Sequence, residues 1–126
     1  MTVSAWLAVA TGGAVGAVMR FALSSMMTRT PGSFPIAHFA ANVIGSVLIG
    51  VLFVALVNRT DLMILRLFLI TGVLGAFTTF SAFSLDTLQL AERGQWLPAA
   101  AYVLSTVVLC VAGCWAGMLV GRLAIR

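Results

Sequence analysis

Between Gly72 and Ser84 the chain reads GVLGAFTTFSAFS, an apolar stretch crowded with groups that can do chemistry. It holds four hydroxyls (Thr78, Thr79, Ser81, Ser84), three phenylalanines at i, i+3 spacing (Phe77, Phe80, Phe83) and two glycines. Glycine and threonine can interrupt a helical ladder, and carbonyls freed by the interruption make a site for a hard cation. Phe80 and Phe83 fall one turn apart on one face. Their ring edges, the positive part of the aromatic quadrupole, can lie against a small anion. Ser81 and Ser84 share that spacing and can donate hydroxyls to it. Aromatic residues at helical spacing also serve as plain core, and that reading stays open beside the anion reading. Irregular polar backbone at bilayer depth is tolerated only where it is buried in protein or lines a water-filled path. The segment is therefore the candidate working site of a small channel or transporter.

Four apolar stretches position these residues, each near the roughly 20 residues that span a bilayer. The sequence predicts helices at about Val3–Met27, Ala37–Val57, Leu62–Leu90 and Leu97–Leu123, with Pro98 near the start of the fourth, where a missing amide costs little. The expected fold class is all-α integral membrane, with the third helix broken, as one four-span domain over residues 1–126. With 62% hydrophobic residues, 8% charged residues and a mean hydropathy of +1.15, the chain has too little polar surface for a water-soluble globule. Its N-terminus lacks a basic lead and reads as a retained helix, not a signal peptide. The net charge of +4 comes from arginines, with no lysine. They sit singly near segment ends as interfacial anchors, unlike the one-faced cluster of a nucleic-acid binder. Arg59, Arg66, Arg122 and Arg126 fall on one side, Arg29 and Arg93 on the other, so orientation is weakly specified. Weak bias and small size suggest a homodimer whose copies insert in opposite orientations.

Further polar groups lie within the spans. Asn42 needs partners inside an apolar helix; its NH2 can donate to a passing anion, and structural helix–helix bonding is the close rival. Arg20, after the first-span glycines Gly12, Gly13 and Gly16, either snorkels or draws anions into a vestibule. Tyr102 and Thr106, in line with Cys110, give the fourth span a partly polar stripe. His38 reads as a satisfied polar residue, and Asp86 as an interfacial helix residue ahead of a pore-mouth role. Gly113, Gly117 and Gly121 form a GxxxGxxxG ridge, suited equally to packing within the chain and to dimerisation. Cys110 and Cys114 are four apart on an apolar helix, a poor geometry for a disulfide, and read as buried free thiols. One histidine and three acids (Asp61, Asp86, Glu92) leave nothing for an acid–base pair, so no enzyme is expected.

GGAVGAVMRF, NVIGS and GVLGAFTTFSAFS, in this order on four spans, resemble the Fluc/CrcB family of fluoride channels over essentially the whole length. The third motif carries most of the specificity. The resemblance implies a bacterial antiparallel, dual-topology dimer with two pores. It assigns the backbone carbonyls of Gly75 and Thr78 to a structural sodium ion at the dimer centre, Phe80 and Phe83 to the pore phenylalanines, and Asn42 to the pore asparagine. Arg20 matches the first-span arginine, and Tyr102 and Thr106 the polar track of the fourth helix. Three departures stand out: Ala82 replaces the last threonine of TTFSTFS, Ala37 and His38 replace glycine and threonine, and Cys110 stands where serine can occur.

The expected function is passive, fluoride-selective export across a bacterial inner membrane, with fluoride, lipid and a second copy of the chain as partners. The runner-up is a small four-span multidrug-type exporter. That exporter needs a membrane-buried carboxylate for proton exchange, and the first span has Arg20 and no acid. A non-transporting assembly subunit would have no use for the polar third span.

Overall fold

The computed structural model describes residues 2–27 and 33–124. Arg29 and Arg126, which enter the charge comparison, lie outside them. Among the described residues all regular structure is helical, and four helical stretches are long and apolar enough to cross a membrane. Helix α1 is Val3–Met26 and α2 is Ile36–Leu56. The third stretch, Thr60–Glu92, is composite. A 3₁₀ turn (Thr60–Leu62) leads into α3 (Met63–Arg66), a π-helical segment (Leu67–Leu74), α4 (Gly75–Phe77) and α5 (Phe80–Glu92). Helix α6 is Trp96–Ala124. The expected spans hold to within two residues at each end.

Small residues set the packing. On α1, a Cβ at Gly12 would strike the Phe68 carbonyl and one at Gly16 the Val73 carbonyl, so α1 lies directly on the π-helical segment. On α6, Gly117 abuts the Val47 carbonyl, while Gly113 and Gly121 face the Val47 and Val54 side chains. The glycine ridge is thus engaged by α2 of the same chain, which decides the question left open by its sequence. In the same seam Gly50 of α2 meets the Cys114 carbonyl. Cys110 and Cys114 are free thiols, both half-buried.

The α5–α6 turn is held by the Gln95 amide on the Leu90 carbonyl (3.0 Å) and the Gly94 amide on the Ala91 carbonyl (2.9 Å). This double bond pattern needs a left-handed residue just past the helix, and Gly94 supplies it with φ 75°. The turn folds α5 back onto α6, where Phe83, Leu90, Ala99 and Tyr102 form a buried cluster. Large apolar side chains elsewhere face outward along every span, as lipid-facing or partner-facing surface requires.

Candidate functional site

The site begins where α4 ends. Thr78 (φ −79°, ψ 154°) and Thr79 (φ −152°, ψ 117°) are extended, so the helical ladder does not continue into α5. The Thr78 amide and hydroxyl both donate to the Leu74 carbonyl, at 3.0 and 2.9 Å, and close the first arm. The Thr79 hydroxyl accepts from the Ala82 amide at 3.2 Å and caps the second.

In an unbroken helix each carbonyl receives the amide four residues on. Here the Thr79 amide donates instead to Asn42 Oδ1 at 2.7 Å, and the Ala82 amide to the Thr79 hydroxyl. Gly75 and Thr78 thereby lose the donors that the ladder would have supplied. The Ala76 carbonyl is served from elsewhere: Arg20 Nε donates to it at 3.0 Å. Asn42 completes a reciprocal clamp, its Nδ2 donating to the Thr79 carbonyl at 3.1 Å. Ser46, one turn further along α2, donates to the Asn42 carbonyl at 2.7 Å.

A cavity of about 380 Å³ opens at this point between α2, the third stretch and α6. Its wall includes Asn42, Gly45, Ser46, Gly75, Thr78, Thr79, Phe80, Phe83, Thr106 and Cys110, with apolar Ile49, Leu74, Val107 and Val111. The Thr106 hydroxyl is buried in this wall and has no hydrogen-bond partner among the described residues. An amide nitrogen carries two hydrogens, and Asn42 directs one of them to Thr79. The result is an apolar chamber with a few donors at its edge, suited to a small anion.

Asn42, Phe80, Phe83 and Thr106, which the sequence reading gave to the anion path, share this wall with Gly75 and Thr78, which it gave to a separate ion site. Phe80 and Phe83 rings stand 5.3 Å apart, and Phe83 packs on Tyr102 at 5.2 Å. Phe83 is buried, whereas Phe80 is 77% exposed on the outer face. Four of the residues singled out in the sequence lie outside the cavity wall. Arg20 is engaged at the Ala76 carbonyl, and Tyr102 is fully buried behind Phe83. Ser81 is exposed beside the Thr79 hydroxyl (3.2 Å), and Ser84 bonds back to the Phe80 carbonyl (2.9 Å).

Sequence reasoning missed Gly45 and Ser46 as wall residues, although NVIGS contains both. It also missed the partner of His38. Asp86 is 2% exposed, and His38 Nδ1 lies 2.7 Å from its Oδ2. His38 is satisfied as expected, but by a buried acid 48 positions away, which no local pattern reports. Among the described residues no group of histidines, cysteines and acids is arranged to hold a metal ion.

Fold and cavity together define a small multi-pass membrane protein with a polar-edged chamber beside the Thr78–Thr79 pair. Residues 7–118 match the family described as "CrcB-like protein, Camphor Resistance (CrcB)". A "Fluoride-specific ion channel FluC" of Agrobacterium fabrum is 47% identical over 116 residues, 90% of this chain and 93% of the relative. Its namesake in Magnetococcus marinus is 45% identical over 123 residues, 94% and 97% of the two chains. That of Coxiella burnetii is 41% identical over 114 residues, 88% and 92%. The chain belongs to the CrcB family. This is not an enzyme family, so the expectation that no reaction is catalysed holds.

Proposed function

We propose that the protein is a passive, fluoride-selective channel of a bacterial inner membrane, working as an antiparallel, dual-topology homodimer. The observation that carries the substrate is the 47% identity, over nearly the whole of both chains, to a channel named for fluoride. The cavity supports it: Thr106 offers an unengaged hydroxyl, Asn42 an amide hydrogen, and Phe83 an aromatic wall. A narrow, largely dry path whose donors suit a small anion would disfavour chloride. Hydrofluoric acid enters cells uncharged and dissociates inside. A negative-inside potential then expels the trapped anion with about 2.3 kcal/mol per 100 mV, without ATP.

In this reading the third span works as a broken helix, and the Gly75 and Thr78 carbonyls hold a structural sodium ion. The diverted Thr79 and Ala82 amides fit that role, because they leave these two carbonyls as hard oxygen ligands. Gly75 is exposed at the surface of the single chain, where a second copy can approach. When bound, the ion would supply a positive centre that ties the carbonyls of both copies together. Phe80, exposed here, would be covered by the second copy and complete the aromatic wall. Fluoride efflux from liposomes, with chloride-loaded liposomes as control, tests the function. Fluoride must leave and chloride stay; comparable chloride efflux removes the assignment.

A further inference from the structure

Two polar ties join the second arm of the third span to α2. One is the Asn42–Thr79 clamp at the mouth of α5. The other is His38 with Asp86, two turns further along the arm. On α2 the two anchors are at i and i+4, so they share a face. On α5, Asp86 follows Phe83 by three residues, and both are buried on the same side. Phe83 therefore stands between the two ties.

We propose, resting on the channel reading above, that His38 and Asp86 are a positioning pair that fixes the rotation of α5 and so keeps Phe83 in the cavity wall. The extended Thr78 and Thr79 leave α5 without a continuous helical ladder to α4, so the clamp alone would act as a hinge. A second tie, on the same face and beyond Phe83, removes that freedom. Burial gives it force. A carboxylate at 2% exposure is costly wherever it lacks donors, and losing one partner of a buried pair costs far more than losing a surface pair. When His38 is removed, one of the bonds that hold this face of α5 against α2 is lost, so the face can turn outward, and Phe83 turns with it. The ring then leaves Tyr102 of α6, its neighbour at 5.2 Å. His38 is not among the residues that line the cavity, so it acts through α5 and not on the ion.

The test uses the full-length protein in liposomes, with fluoride efflux and amide hydrogen exchange read on the same variants. His38→Ala and Asp86→Ala should each lower efflux about tenfold or more, the scale set by one charge-assisted hydrogen bond. Exchange should rise within residues 80–92 while α6 keeps its protection. The double alanine variant should be no worse than either single one, and the exchanged pair, His38→Asp with Asp86→His, should recover both readouts. Where an alanine variant fails to fold, His38→Asn and Asp86→Asn keep a neutral hydrogen bond and should give smaller changes in the same direction. Wild-type efflux and exchange in the single variants, additive losses, or no recovery in the exchanged pair would overturn the proposal. A wild-type protein that moves no fluoride overturns the channel reading instead, and the exchange pattern in 80–92 then decides the tie by itself.

Discussion

Replacing Asn42 by alanine removes both bonds that its side chain makes to Thr79, at 3.1 and 2.7 Å. The Thr79 amide and carbonyl, part-buried, are then left without those partners. Each orphaned group costs about 1–3 kcal/mol, so the variant should lose about 2–6 kcal/mol in all. That is a large share of the roughly 5–15 kcal/mol that holds a typical fold. Thr79→Val gives the internal comparison. It keeps the backbone bonds to Asn42 and removes the hydroxyl cap on the Ala82 amide, for about 1 kcal/mol. Thermal unfolding followed by size-exclusion chromatography should rank wild type, Thr79→Val and Asn42→Ala in that order. Fluoride efflux should fall furthest in Asn42→Ala, which also loses a donor from the cavity wall. Unchanged stability in Asn42→Ala, with or without loss of efflux, would refute the clamp and leave Asn42 acting only on the ion.

Other expectations follow from the same geometry. Phe80→Ile and Phe83→Ile should both cut fluoride efflux, but only Phe83→Ile should loosen the chain, since Phe83 is buried and Phe80 is 77% exposed; wild-type efflux in both would make the rings mere packing. Ala82→Thr should leave efflux equal or raise it by adding a hydroxyl beside Thr79, and a collapse would mean the position is sterically closed. A side chain at Gly75 meets nothing nearer than the Ile70 carbonyl at 3.7 Å within the chain. Gly75→Leu should therefore spare the fold of the single chain and disrupt the dimer, read by cross-linking; an intact dimer with full efflux would argue against a site at the two-fold axis. Prolonged dialysis of sodium against a large organic cation should lower activity or loosen the dimer by mass action; full activity with no bound sodium would sink the ion assignment and not the pore.

The spans were legible because lipid imposes a strong local rule, and runs of apolar residues bounded by TRTPGSFP, NRTD and AERGQ obey it. Thr78, Phe80 and Phe83 in the cavity wall were legible because polar and aromatic groups crowd where a bilayer tolerates few, whereas Gly45 and Ser46 were not picked out. Contacts across the fold were not. The Arg20 bond to the Ala76 carbonyl spans 56 positions and the His38–Asp86 pair 48, and neither leaves a periodic trace. The π-helical turn Leu67–Leu74 was missed for a related reason. Its residues, LFLITGVL, have the composition of any buried helix, and its path follows the close approach of Gly72 to Gly12 on α1. Ser81 and Ser84 had the right spacing, but Ser84 satisfied itself on the preceding turn and Ser81 turned toward Thr79. Spacing places a hydroxyl on a face without deciding which acceptor it takes.

The most direct measurement is the reversal potential of the reconstituted protein in a planar bilayer, with a tenfold fluoride gradient set against an equal and opposite chloride gradient. A passive, fluoride-selective pore predicts a current that reverses at the fluoride equilibrium potential, about 59 mV for a monovalent ion. Reversal near zero, or no current alongside measurable fluoride exchange, would contradict it.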